Sequence, residues 1–339
     1  MNHLHFATIF DINYLSRGLA LYNSILVYHL RFTLYVIALD EDTVDYFNRN
    51  TYDNIKIIRL ADIESYFSEL SELKKVRSKV SYTFTLSPYY PLYILNKFSE
   101  IPHICTLDAD QYFFNSSEII FKDLDSASVL ITPHRFTTEL LKKNVEKYGK
   151  FNVSFQVFKN DKLGLECLDY WRSQCKDWCS DELVGDKFAD QKYLESWTHV
   201  FGDGVKEIDH IGLGLAPWNI NNWRITISKG SIHVADQPLI LFHYQGLRIL
   251  DHQFVYIAFD RYMAKTSSVI RNSLIKPIVT QLIKFQSATS DKIGRQSVER
   301  FNVDSISEES KSSYLRLIGR RLITFNTYMR IRNFRKRLS

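Results

Sequence analysis

The stretch Ile101-Pro102-His103-Ile104-Cys105-Thr106-Leu107-Asp108-Ala109-Asp110 sets two carboxylates one residue apart directly behind an apolar run. The run reads as a buried strand, and its period of two aims Asp108 and Asp110 to one side where the strand ends. Two hard oxygen ligands at such a point suit a divalent cation, Mg²⁺ or Mn²⁺, that also grips a diphosphate. A lone Asp-x-Asp is more often a solvated turn, so its meaning rests on what surrounds it.

Upstream, residues 3–10, 32–39 and 55–60 are short β-rich runs separated by helical patterns over 14–28 and 42–48. This alternation predicts βαβ units and an α/β fold with a mainly parallel central sheet flanked by helices. A helix over 86–98 is expected beside the Asp-x-Asp strand, with Ser87 as its N-cap and Pro88 at its first position. Downstream, residues 128–132 and 153–158 read as further strands, and 161–178 as a long helix. The segment 202–223 concentrates Gly202, Gly204, Gly212, Gly214 and Pro217 and reads as a functional loop. Residues 238–243 read as a last strand, 253–285 as helical and 287–313 as a polar linker.

With 339 residues, 45% of them apolar, the chain can bury a substantial core as one large α/β domain or two. No apolar run reaches the roughly 18 residues of a membrane span, and the chain enters a strand without a signal peptide, so a cytoplasmic protein is expected. Cys105, Cys167, Cys175 and Cys179 fit neither a zinc motif nor a secreted disulfide framework and read as buried thiols. The net charge of +5 is uneven, because residues 311–339 hold nine Lys or Arg and no Asp or Glu. There Leu315, Ile318, Leu322, Phe325 and Met329 form one helical stripe bordered by Arg316, Arg320, Arg321 and Arg330. Such a segment either lies on anionic lipid at the inner face of the cytoplasmic membrane or docks on its own domain. No motif supports nucleic acid as a partner.

Five segments then occur in a telling order: Phe6-Ala7-Thr8-Ile9-Phe10-Asp11-Ile12-Asn13-Tyr14-Leu15 with Gly18 to Ser24 behind it, the Asp-x-Asp, Phe151-Asn152-Val153-Ser154-Phe155-Gln156, Phe188-Ala189-Asp190-Gln191, and Leu241-Phe242-His243-Tyr244-Gln245-Gly246-Leu247-Arg248. Through them the chain resembles glycosyltransferases of the GT-A fold, closest to the family 8 type and related nucleotide-diphospho-sugar transferases. The resemblance covers roughly residues 4–255, and its motifs are convincing as an ordered set while individually weak. It implies a GT-A (Rossmann-like) catalytic domain over 1–255, followed by a helical extension and polar linker over 256–310 and the basic amphipathic tail over 311–339.

The resemblance also implies roles. Phe10, Asp11, Asn13 and Tyr14 would bind base and ribose, although Asp11 reads equally as a helix N-cap with Tyr14 packed beside it. Asp108, Asp110 and His243 would hold the metal, with Ala109 between the carboxylates, and an imidazole ligand favours Mn²⁺ over Mg²⁺. Gly246 and Arg248 would approach the phosphates, Arg248 standing where the family usually has Lys. The arginine that relatives often place about 17 residues before the first Asp is Pro91 here, so Arg77, Lys79 or both would substitute. Asn152 would line the sugar pocket, Asp190 and Gln191 would lie beside the donor sugar as catalytic candidates, and Trp218 is either a sugar or acceptor platform or a core plug.

Taken together, the resemblance implies hexose transfer from a nucleotide sugar, a UDP-hexose, to a saccharide or lipid-linked glycan in bacterial surface polysaccharide synthesis. Retention at the anomeric carbon is implied, with inversion open. A haloacid-dehalogenase-type phosphatase also places Asp-x-Asp after a strand, but near its N-terminus and followed by Thr or Val rather than Gln111-Tyr112. The non-enzymatic alternative is a nucleotide-sugar or glycan-binding protein that keeps the fold without turnover.

Overall fold

The computed structural model describes residues 3–250, 254–293 and 328–330. A central sheet of seven strands runs in the order β3-β2-β1-β4-β7-β6-β8, built from β1 (Leu4–Phe10), β2 (Phe32–Ala38), β3 (Ile55–Arg59), β4 (His103–Leu107), β6 (Val129–Pro133), β7 (Phe151–Lys159) and β8 (Val205–Glu207). The short β5 (Gln111–Phe113) leaves this sheet directly after the Asp-x-Asp. Strands β3, β2, β1 and β4 are parallel, as the alternation predicts. Strand β7 departs from that pattern, running antiparallel to both β4 and β6.

Helices cover both faces: α1 (Leu15–Tyr28), α2 (Glu41–Arg49), α3 (Leu60–Tyr66), α4 (Leu70–Val76), α5 (Lys79–Thr85), α6 (Tyr89–Lys97), the single-turn α7 (Glu118–Phe121), α8 (Thr138–Tyr148), α9 (Lys162–Asp177) and α10 (Trp197–Phe201). Their starts follow local chemistry. Asp40 caps α2 by accepting from the Thr43 N–H at 2.9 Å, and Asp161 caps α9 through the Gly164 N–H at 2.9 Å. Gly164 is required there because a Cβ would sit 2.1 Å from the Lys159 carbonyl oxygen of β7.

Alternation along β1 divides the core. Ala7 joins Tyr35, Tyr89, Trp171 and Trp197 on one face, whereas Phe6 and Phe10 join Leu19, Phe113 and Phe155 on the other. Each fully buried ring contributes about 2–3 kcal/mol of burial energy. A third cluster ties Phe242, Tyr244, Val255 and Phe259 to Leu274, Ile278 and Leu282.

Several expected elements take another form. The helix after Pro88 starts at Tyr89, and Ser87 is not its N-cap. The Leu86 N–H donates to Tyr82 and the Tyr90 N–H to Leu86, so α5 runs almost continuously into α6 and leaves no free helix start to cap. The glycine-rich loop contains β8. The strand expected over 238–243 is broken into β11 (Gln237–Pro238), which extends the hairpin β9 (Ile225–Ser228) and β10 (Ser231–Val234), and β12 (Leu241–His243), which pairs with β5. It is not the last, because β13 (Arg248–Leu250) and β14 (Phe254–Tyr256) follow, and the 255/256 boundary falls inside β14.

The helix expected over 253–285 is interrupted: after β14 there is a short 3-10 turn at Phe259–Tyr262, then a π-helical turn over Ile270–Ile275, and then α11 (Lys276–Ile293), which packs against α1. Residues 287–293, expected in the polar linker, belong to α11, and 294–313 lie outside the described residues. So do 311–327 and 331–339 of the basic tail. Within it, Tyr328–Arg330 forms β15, antiparallel to β14, so Met329 and Arg330 are strand residues rather than part of a helical stripe.

Candidate functional site

The carboxyl ends of β1 and β4 lie side by side, and the residues that follow them form the site. In open α/β sheets this is where ligands bind. After β4, the Asp108 N–H donates to the Ser154 carbonyl of β7 at 3.2 Å, and the chain turns through Ala109 and Asp110 into β5. Strand β12 pairs antiparallel with β5 and sets His243 opposite Gln111. Two further bonds fix that register, from the His243 N–H to Leu215 at 2.8 Å and from the Tyr244 N–H to the Asp110 carbonyl at 3.0 Å.

His243 Nε2 therefore lies 3.0 Å from Asp110 Oδ1 and 3.8 Å from Asp108 Oδ2, and the three ligand atoms fall within 4.8 Å of one another. The His243 side chain is 6% exposed and that of Asp108 42%, so the cluster opens on the Asp108 side. Loss of hydration raises the Asp108 carboxyl to about 6, with Asp110 adding to the effect and His243 opposing it. Burial works against Asp110 in the same way, but the facing imidazole, its hydrogen bond and Arg17 outweigh it and hold that pKa low. His243 shows the converse balance, since burial favours its neutral form while the two aspartates raise its pKa. Two carboxylates and an imidazole gathered in this way fit a divalent cation of Mn²⁺ or Mg²⁺ type. The His243 ring is oriented by the Trp218 indole, edge-to-face with centroids 5.2 Å apart.

On the β7 side, Asn152 is 4% exposed and accepts from the Ser154 N–H at 3.1 Å, while its Nδ2 has no partner among the described residues. Asp190 is 1% exposed, with Oδ2 likewise unpartnered. Burial, reinforced by Asp108, lifts its carboxyl to about 7 against a hydrogen bond from Ser87. Ala189 before it takes φ +48°, a left-handed conformation that an alanine holds only under local constraint. Gln191 spends its amide on the Tyr148 carbonyl at 2.8 Å.

On the β1 side, Asp11 caps the turn Ile12–Tyr14 through the Asn13 N–H at 3.1 Å and pairs with Lys79 Nζ at 2.8 Å. Asp40, at the end of β2, accepts from the Ile12 N–H at 3.2 Å and fixes the same turn. Tyr14 is exposed, its ring 4.6 Å from the Arg17 guanidinium. Gly246 takes φ +79°, and a Cβ there would sit 2.9 Å from Ala258 Cβ. Arg248 lies in β13, opposite Tyr256.

Some candidates are placed elsewhere. Arg77 donates to Thr85 Oγ1 and to the Cys175 and Lys176 carbonyls, so its guanidinium is engaged at the end of α9. The Phe10 ring lies in the core over Gly18, and Ala109 packs in the same cluster. Trp218 is 4% exposed, donates its Nε1–H to the His134 carbonyl at 3.0 Å and packs with Phe136 and Ala216, filling the space behind His243.

The sequence reading missed Arg17 and Tyr90. Arg17 is 7% exposed and acts on Asp110, while the buried Tyr90 hydroxyl bonds to Thr106 and feels Asp108 and Asp190. A cation in the first turn of a helix, where the dipole disfavours it, is the signal that points to Arg17. No sequence signal singles out Tyr90.

No family model matches the chain. It is 26% identical over 252 residues to the uncharacterized protein YfnD of Bacillus subtilis (strain 168), covering 74% of this chain and 80% of that one. The same identity holds over 251 residues with YfnF of that organism, covering 72% and 82%. Among solved structures, the chain is similar to the galactosyltransferase LgtC in complex with donor and acceptor sugar analogs, at 15% identity and TM-score 0.48, covering 72% of this chain and 87% of that one. It is likewise similar to mouse xyloside xylosyltransferase 1, at 12% identity and TM-score 0.45, covering 72% and 98%.

Proposed function

We propose that the protein is a metal-dependent glycosyltransferase that moves a hexose from a nucleotide sugar, a UDP-hexose in this reading, to a saccharide or lipid-linked glycan acceptor in the cytoplasm. The observation that carries it is the meeting of Asp108 and Asp110 with His243, which lies 133 residues beyond Asp110, at the carboxyl ends of β1 and β4. Around that meeting point lie an exposed tyrosine on one side and, on the other, two buried polar atoms without a partner among the described residues. A base, a diphosphate and a sugar in line match that sequence of surfaces.

Asp108, Asp110 and His243 would hold the divalent cation, which when bound supplies positive charge against the leaving diphosphate. The rest falls to side chains of the chain itself. Tyr14 offers a ring for the base, and Asp11 with Asn13 offers acceptors and a donor for base and ribose. Asn152 Nδ2 and Asp190 Oδ2 take sugar hydroxyls, which ends the cost of burying them unpaired. Trp218, Phe136 and Tyr262 keep water from the back of His243. Asp190 and Gln191 then stand beside the reacting face of the sugar, and in a retaining transfer the proton of the acceptor hydroxyl passes to the departing phosphate oxygen.

The test is a panel of nucleotide sugars monitored for slow hydrolysis with and without Mn²⁺. One donor is expected to be hydrolysed in a metal-dependent way. Binding of UDP without release from any donor would favour a non-catalytic nucleotide-sugar binder instead.

A further inference from the structure

Arg17 occupies the first turn of α1, where the backbone already presents the positive end of the helix dipole. It is 7% exposed, and burying a guanidinium is costly unless an anion offsets it. One of its N–H groups donates to the Leu247 carbonyl at 3.3 Å, and its charge centre lies 4.6 Å from the Tyr14 ring centroid. Leu247 closes the turn that begins at Tyr244, directly after His243, through its N–H to the Tyr244 carbonyl at 3.0 Å. The guanidinium therefore joins the ring after β1 to the turn that follows His243, four residues before Leu247.

We propose that Arg17 is a phosphate ligand that grips the diphosphate of a bound nucleotide between its nucleoside and the Asp108-Asp110-His243 cluster. A diphosphate that joins a base at Tyr14 to a cation at these carboxylates passes this guanidinium, whose planar fork of N–H donors suits phosphate oxygens. The neighbouring cations are less suited. Arg77 is spent on the end of α9, and Lys79 is 77% exposed and paired with Asp11 at the rim. The proposal rests on the glycosyltransferase reading only in requiring a nucleoside diphosphate at this site.

The experiment measures binding of UDP and of uridine, each with Mn²⁺, to the full chain and to Arg17→Met and Arg17→Lys. Loss of a charged hydrogen-bonding pair predicts UDP binding about 10- to 100-fold weaker in Arg17→Met, with uridine unchanged. Arg17→Lys keeps the charge without the fork and is expected to fall between the two, and it carries the same comparison if the Met variant does not fold. Wild-type UDP affinity in the variants would overturn the proposal. So would equal weakening of UDP and uridine, which would make Arg17 a brace for the turn at Tyr244–Leu247. If the unaltered chain itself binds no UDP, the glycosyltransferase reading fails first and this one falls with it.

Discussion

The two ends of β1 and β4 carry opposite chemistry. At their amino ends His5 and His103 face each other with ring centroids 5.9 Å apart, and His3 lies 4.8 Å from His5. Burial foremost, with neighbouring histidines, lowers both His5 and His103 to about 4, so these imidazoles are packed as neutral rings. At the carboxyl ends His243 is buried and Asp110 half-buried, while Asp108 reaches solvent, and the three are held against one another in a mutually charged arrangement. The sheet treats one end as core and the other as a site. The difference comes from what the chain does next: β4 runs on into a tight turn that presents two carboxylates to a strand arriving from far along the chain.

The largest effect should come from breaking the charged end. Asp110→Ala removes the group that pairs with His243 at 3.0 Å, and is expected to lower Mn²⁺-dependent UDP release by about 10²- to 10³-fold. Turnover equal to wild type under added Mn²⁺ would show that this end does no chemistry.

Next comes Asp190. Its carboxyl is held at about 7 in the folded protein against 3.8 ordinarily, so its contribution to stability is full below about pH 4 and is lost as pH rises through 7. In metal-free buffer Asp190→Asn should therefore exceed wild type at pH 8 by on the order of 4 kcal/mol, and match it at pH 4, by urea midpoints. Parallel curves for the two proteins would mean the carboxyl is not strained.

His103 sharpens the contrast in the opposite direction. Its pKa falls from 6.5 to about 4 on folding, so stability is full above pH 6.5 and declines towards pH 4, by about 3 kcal/mol for this one ring. His103→Leu should flatten that decline, and an unchanged acid slope would show the amino end to be solvated after all. Smallest is Gly246→Ala, where a left-handed backbone and a Cβ 2.9 Å from Ala258 should cost about 1–2 kcal/mol. Because the turn carries His243 at its base, weaker Mn²⁺ affinity should accompany that loss in a metal titration.

Much of the architecture was legible because it is written locally. The β-rich runs and helical patterns up to residue 107 reappear as β1 to β4 with α1, α2 and α6, and the Asp-x-Asp follows directly on β4, whereas α3 to α5 had no counterpart in the reading. The reading failed where pairing is non-local. Nothing in Phe151–Lys159 reveals that β7 inserts antiparallel between β4 and β6. Residues 253–285 read as helical, yet the stretch opens as β14, paired with β13, and continuous helix begins only later. Arg77 looked as available as Lys79 until α9 arrived to claim it.

The order of residues was enough to establish which chemical groups need one another, because a buried strand ending in two carboxylates and an apolar run ending in a histidine each call for a polar partner. That they answer each other is a property of the folded molecule alone. Strand β12 had to add to β5 with His243 opposite Gln111, and Trp218 had to fill the space behind the ring. Those outcomes depend on hydrogen-bond register and on volume packed from distant parts of the chain, quantities that no local pattern of residues encodes.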